Sequence, residues 1–250
     1  PDNYSLLLHF NDDGTGEVFD SSKYEIPVFA SEAALDTSVV KFGTSSCFFD
    51  GADDYVAVAA ISNNAPNPIL TLSGDFTIDF WAKSNNLLSI QTLIGSHDPS
   101  SGNDGYQGLE LERFNVGSSE TYFWLRAEDT SGQGSINYQL VVPVAINAVD
   151  WFHYALIRYN GQIKLYINGI SSTFGAANTA VFNHASYGIL YIGASPSNFP
   201  VFTNHFDGYI DEFRIVNGEA LWISDFSSNL PTSESSAAGC VYEGCVPCET

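Results

Sequence analysis

The sequence predicts an all-β protein, a two-sheet antiparallel sandwich of the jelly-roll kind. Three observations predict it. Short apolar runs are separated by turn residues at close, regular spacing along most of the chain. Aromatic residues make up 14% of the 250 positions, with 18 Phe and 13 Tyr, which suits pleated, half-buried strands. Two Asn-Gly pairs punctuate alternating runs, the strongest short-range hairpin signal, because both residues tolerate positive φ.

Taken in order, Tyr4–Phe10 reads as an apolar first strand stopped by the turn chemistry of Asn11-Asp12-Asp13-Gly14. Ser46–Phe49 and Tyr55–Val58 flank the hairpin-like connection at residues 50–54. Phe76–Lys83 alternates with Phe76, Ile78 and Phe80 on one face. Thr92–Gly95 is a short apolar run, and Gly108–Phe114 sets Leu109, Leu111 and Arg113 against Glu110, Glu112 and Phe114. Thr121–Ala127 and Ile136–Val142 follow. Phe152–Tyr159, Asn160-Gly161, Gln162–Ile167 and Asn168-Gly169 form the cleanest hairpin. Ile189–Gly193 and Phe206–Val216 complete the set, with a turn at Gly218–Trp222. The domain is expected over residues 1–230. Residues 231–250 read as a Ser-rich flexible linker and a Cys-rich tail.

Composition narrows the function. Hydrophobic residues, at 44%, suffice for a large core, and no run approaches the roughly 20 apolar residues of a membrane helix. Charged residues are only 15%, below the usual ~25%, so Ser, Asn, Thr, Gln and Gly must build the surface. Eight Lys and Arg face 29 Asp and Glu, a net charge of −21. That field repels nucleic-acid phosphates and anionic membranes and attracts divalent cations. The chain starts at Pro1 and has no Met, as a trimmed, exported product would. Cys47 stands alone, while Cys240, Cys245 and Cys248 crowd the tail. No His lies near them, so disulfides in an oxidising compartment are favoured over zinc. Clipping the tail to Cys47 is one natural pairing.

Four segments, in order, resemble the laminin-G-like, concanavalin-A-like family. They are the run from Phe42-Gly43 through Phe49-Asp50-Gly51 to Asp53-Asp54-Tyr55-Val56, then Asp75–Trp81, then Trp151–Ala155 with Leu165–Gly169, and last Phe206–Ile215. The ending, Gly218–Trp222 and Phe226, resembles laminin-G-like domains of tailed-phage and marine-microbe surface proteins. Each motif is mostly core and turn residues, so together they specify fold more than function.

The resemblance implies Ca²⁺ in loops at the sandwich edge, where six to eight oxygens must converge. Asp12, Asp53, Asn103, Asp104 and Asp211 are the candidate ligands. Asn103 and Asp104 are similar, in reversed order, to the Asp-Asn pair of the related pentraxins. The structural alternative for the loop acids is ordinary Asx turns. Asp211 lies inside a strand on the face of Tyr209, Phe213 and Ile215, pointing with the core. It therefore needs a backbone hydrogen bond or a metal.

Sugar binding needs aromatic platforms beside planar polar groups. Tyr106, Phe199 and Phe202, with Asn198, lie in Asn- and Ser-rich loop surroundings and are the candidate ligand contacts. Tyr122 and Trp124 share a strand face, but Trp124 is expected in the core, as is His153. Related glycosidases on this fold use a strand-borne Glu-x-Asp-x-Glu array. Glu110 and Glu112 share a face here, but Leu111 separates them and no Asp intervenes. Gly-x-Ser-x-Gly and zinc-type His pairs are also absent from the sequence. These readings converge on a secreted, non-catalytic carbohydrate-binding or adhesion module, calcium-dependent if the loop acids converge. The alternative is a structural subunit of a surface fibre, sheath or virion assembly, with neighbouring copies as partners and homo-oligomers formed through the tail.

Overall fold

The apolar runs pair into two antiparallel sheets whose facing sides form one core. A computed structural model describes residues 4–58, 69, 71–72, 74–87, 89–97, 109–115, 121–127, 136–175, 182–183, 188–198 and 201–236. Among them there is no helix. The first strands are β1 (Tyr4–Leu8), β2 (Val28–Ser31), β3 (Ala34–Asp36), β4 (Ser46–Asp50) and β5 (Tyr55–Val58). Next come β6 (Thr71–Leu72), β7 (Phe76–Ser84), β8 (Gln91–His97), β9 (Glu110–Asn115), β10 (Thr121–Ala127) and β11 (Ile136–Val141). β12 (Phe152–Tyr159), β13 (Gln162–Ile167), β14 (Ile170–Phe174), β15 (Phe182–Asn183) and β16 (Ile189–Ile192) follow. The last are β17 (Ser195–Asn198), β18 (Val201–Thr203) and β19 (Asp207–Asn217).

One sheet runs β14-β13-β12-β7-β19-β4-β3, with β1 also paired to β19, making eight strands. The other runs β11-β10-β9-β8-β16-β5-β2. Both expected Asn-Gly turns carry positive φ, at Asn160 (48°) with Gly161 (78°) and at Asn168 (48°) with Gly169 (75°). β2, β3, β14 and the β17–β18 hairpin were not legible as strands. They are short, and their residues are largely polar or half-exposed.

Alternation sends Ile78, Phe80, Leu156 and Leu165 from the eight-stranded sheet against Val56, Ile94, Leu111 and Phe123 from the other, all buried. Phe80 stacks between Tyr154 and Phe213 at centroid distances of 5.3 and 5.4 Å. Phe123 reaches across the sheets to Tyr154 at 6.0 Å. Cys47 is a wholly buried free thiol in this core. Burial also pushes its pKa up, so it stays a neutral, apolar-like group. Cys240, Cys245 and Cys248 lie outside the described residues.

The alternation breaks in β19 in a way that matters for the site. Asp211 faces Trp81 and Arg214 faces Asp79, so Glu212 and Phe213 together stand opposite Phe80. This bulge, with Glu212 at φ 53°, switches the parity of the strand. Ile210, Phe213 and Ile215 enter the core. Asp211 therefore points outward, correcting the expectation that it shares a face with Phe213 and Ile215.

The chain after β19 covers part of the outer side of the eight-stranded sheet, over β12 and β13. Trp222 and Phe226 stack at 4.2 Å and bury Ala155, Ile157 and Tyr166. Beneath them Asp79 accepts bonds from Arg214 Nε and Nη2, both at 2.8 Å, and lies 3.1 Å from His153 Nε2. His153 is thus buried, as expected, but under this cover rather than between the sheets. Glu234 and Ser235, within the expected linker, bond to Asn11 and Glu212.

Burial alone would raise the Asp79 pKa, but Arg214 and His153 outweigh it and hold the carboxyl below its usual value. The contribution of the pair is therefore present above the ordinary carboxylate pKa and lost as pH falls. Asp79→Ala leaves Arg214 buried without its partner and is expected to cost about 3–5 kcal/mol in urea unfolding at pH 7. A loss below 1 kcal/mol would show that the pair is not structural in this sense.

Candidate functional site

The two faces of β9 and β10 do different things. Leu111, Phe123 and Leu125 enter the core. Arg113 points the same way, fully buried, with Nη2 donating to Asn86 O at 2.9 Å and to Gln91 Oε1. The alternate residues Glu110, Glu112, Phe114, Tyr122 and Trp124 therefore occupy the outer face of the seven-stranded sheet. Tyr122 pairs across the strands with Phe114, and Trp124 with Glu112. Phe114 stacks on Tyr122 at 5.4 Å and tilts against Trp124 at 6.1 Å. All three rings are half-exposed. Trp124 is thus a surface ring, correcting its expected place in the core. β10 carries aromatic residues on both faces, so hydrophobicity alone could not tell them apart.

Beside these rings, the hairpin of β17 and β18 folds down over β8. Gly95 makes room for it: a Cβ there would lie 2.7 Å from Pro196 Cδ. The two acids on this face hold the hairpin and the chain after it. Glu110 bonds Ser195 Oγ. Glu112 Oε1 accepts from Asn204 Nδ2 at 2.6 Å and from Thr92 Oγ1 at 3.4 Å. Both acids are buried, at 7% and 1% exposure. Beyond the hairpin, Phe202 stacks on Tyr55 at 4.5 Å and meets Tyr191 edge-on at 4.9 Å. One sheet face thus carries two aromatic clusters with a buried carboxylate–amide pair between them. Rings of this kind stack on the apolar faces of sugar rings, and the polar groups fix orientation.

A family model described as the concanavalin A-like lectin/glucanases superfamily matches residues 50–221. The chain belongs to that superfamily. Solved structures of similar fold include the botulinum neurotoxin serotype D binding domain. It is 18% identical with a TM-score of 0.61, over 91% of this chain and 50% of that one. The chain therefore spans about half of that binding domain. Domain 4 of an extracellular arabinanase from Geobacillus stearothermophilus, solved with arabinotriose, is 16% identical with a TM-score of 0.57, covering 87% and 93% of the two chains. The botulinum neurotoxin DC binding domain, solved in complex with SialylT, is 19% identical with a TM-score of 0.59, over 91% and 50%. No curated protein matches the sequence.

In this concanavalin A-like domain the expected ligand contacts are only partly placed. Phe202 lies on the aromatic face described above. Tyr106 and Phe199 lie outside the described residues, as does the side chain of Asn198 in β17. Of the expected metal ligands, Asn103 and Asp104 are outside the described residues. Asp12 closes its own loop, Oδ1 accepting from Gly14 N at 2.8 Å and Gly16 N at 3.4 Å. Asp53 is exposed and converges with Asp50 and Asp54, their ligand atoms within 4.8 Å of one another. Asp211 belongs to neither group: its Oδ2 accepts from Lys41 N at 3.0 Å and Phe42 N at 3.1 Å. The structure does not bring Asp12, Asp53 and Asp211 together. The Glu112–Asn204 pair was missed, because 92 residues separate its members and neither stands in a motif.

Burial pushes the Asp211 pKa up to about 7, against the backbone donors that lower it. A folded-state pKa raised this way favours the fold below the ordinary carboxyl value and loses that contribution as pH rises through about 7. Asp211→Asn keeps a carbonyl acceptor for Lys41 and Phe42 without the buried charge. It is expected to match the wild type in urea at pH 3 and exceed it by about 1–3 kcal/mol at pH 8. A variant less stable than wild type at both pH values would overturn this assignment.

Proposed function

We propose that this chain is a non-catalytic, extracellular carbohydrate-binding module that uses the outer face of the seven-stranded sheet. One observation carries the reading: Phe114, Tyr122 and Trp124 form a half-exposed aromatic cluster on a sheet whose other face already supplies the core. Core packing does not require them there. Part-exposed Asn204, held by buried Glu112, stands on the same face as a polar group that can orient a hydroxyl-rich ligand. The arabinotriose and SialylT complexes of the similar folds are consistent with this ligand class. The engagement of Glu110 by Ser195 and of Glu112 by Asn204 supports binding without hydrolysis. Among the expected calcium ligands, Asp53 supports calcium dependence best, since its turn leads directly into Tyr55 of the second aromatic cluster.

Tyr122→Ala and Trp124→Ala each remove a stacking surface at little cost to the core. On a glycan array followed by calorimetry with the best neutral oligosaccharide, each is expected to lose about 2 kcal/mol, roughly 30-fold in Kd. Their melting curves should stay close to wild type. Full affinity in both variants sinks the reading.

A further inference from the structure

On the opposite side of the domain, three metal-ligating side chains from distant parts of the chain meet. His9 follows β1, Glu212 is the bulge residue of β19, and Glu234 comes from the C-terminal segment. One ligand atom of each lies within 4.8 Å of the other two. His9 Nδ1 is 2.6 Å from Glu212 Oε1, across 203 residues of sequence. Glu212 Oε2 accepts from Ser235 N at 2.7 Å, and Asn11 Nδ2 holds Glu234 Oε1. Gly43 backs the group closely, since a Cβ there would lie 2.4 Å from Glu234 Oε1. The bulge matters because it turns Glu212 toward His9 at a place where regular alternation would send it into the core.

One imidazole and two carboxylates are a transition-metal donor set. Zn²⁺ takes His nitrogen and carboxylate oxygen at about 2.0–2.2 Å, which puts neighbouring tetrahedral ligands ~3.4 Å apart. Small rotamer changes bring the three atoms to that spacing. Calcium, which asks for six to eight oxygens, fits the set poorly. Asp211 supplies an independent observation. It is wholly buried, and its Oδ1 has no hydrogen-bond partner among the described residues. Its charge acts on the His9 imidazole together with those of Glu212 and Glu234. Glu212 and Glu234 set against one imidazole leave an excess of negative charge that a divalent cation neutralises.

We propose that His9, Glu212 and Glu234 form a site for a divalent transition metal of the Zn²⁺ class, which ties the C-terminal segment to the end of β1 and to the β19 bulge. The site is separate from the aromatic face and does not depend on what that face binds.

The test is calorimetric titration of ZnCl2 into the chelator-stripped full chain carrying Cys240→Ser, Cys245→Ser and Cys248→Ser, so that tail thiols do not compete. One Zn²⁺ per chain is expected to bind. His9→Asn and Glu234→Gln should each weaken binding at least about tenfold while melting like the parent in EDTA. Asp53→Asn should leave binding unchanged. A Glu-specific protease, read by mass spectrometry, gives a second measure: Zn²⁺ should slow cleavage after Glu234 in the parent and not in His9→Asn. Unchanged Zn²⁺ affinity in both variants, no binding up to millimolar Zn²⁺, loss of binding in Asp53→Asn, or cleavage indifferent to Zn²⁺ would overturn the proposal.

Discussion

The Asp79–Arg214 pair, with His153 beside it, is the interaction on which the eight-stranded sheet is organised. Two opposite charges almost without solvent are stable only when each satisfies the other. Here the bidentate geometry does so, and it joins β7 to β19 while His153 brings in β12. Arg214 can reach Asp79 only because the bulge at Glu212 restores it to the outer face one residue late. The pair, the bulge and the register of the three central strands are therefore one arrangement. The stacked Trp222 and Phe226 close over it, and the rings of His153 and Trp222 meet edge-on at 5.5 Å.

The two sheets spend their outer faces differently. The eight-stranded sheet buries part of its outer face, around Ala155, Ile157 and Tyr166, under its own C-terminal segment, while the Phe48–Tyr209 pair on that face stays part-exposed. On the seven-stranded sheet the rings of Phe114, Tyr122 and Trp124 stay half-exposed, and the β17–β18 hairpin forms a wall beside them. That asymmetry separates a side packed under its own chain from a side with part-exposed rings within one sandwich. It also explains how a chain with few charges keeps several of them buried. Glu110, Glu112, Asp79 and Arg214 act as internal fasteners that join hairpin, strand and cover.

Much of the architecture was legible because its chemistry is local. Asn160-Gly161 and Asn168-Gly169 announce their turns by the φ values those residues accept, and Phe76, Ile78 and Phe80 announce a core face by alternation. What escaped the sequence is what depends on fit between distant segments. Nothing local marks Glu212 as a bulge, so Asp211 was assigned to the wrong face. Trp124 was assigned to the core because β10 is apolar on both sides, and only the register with Glu112 shows which side faces out. β17 was illegible because Pro196 and its Ser neighbours read as a loop, and its place is set by Gly95 beneath it. The loop acids were recognisable as acids, but whether they converge is a tertiary question, and among the described ones only Asp53 does so.

The C-terminal cover has a consequence for orientation. Having crossed the outer face of the eight-stranded sheet, the chain is fastened at Glu234 and Ser235 to Asn11 and Glu212 on that side. The last described residue, at 236, therefore departs from the side away from Phe114, Tyr122 and Trp124. The turn of chain that closes the cover on one sheet thus leaves the rings on the other sheet clear of the C-terminal segment as far as residue 236.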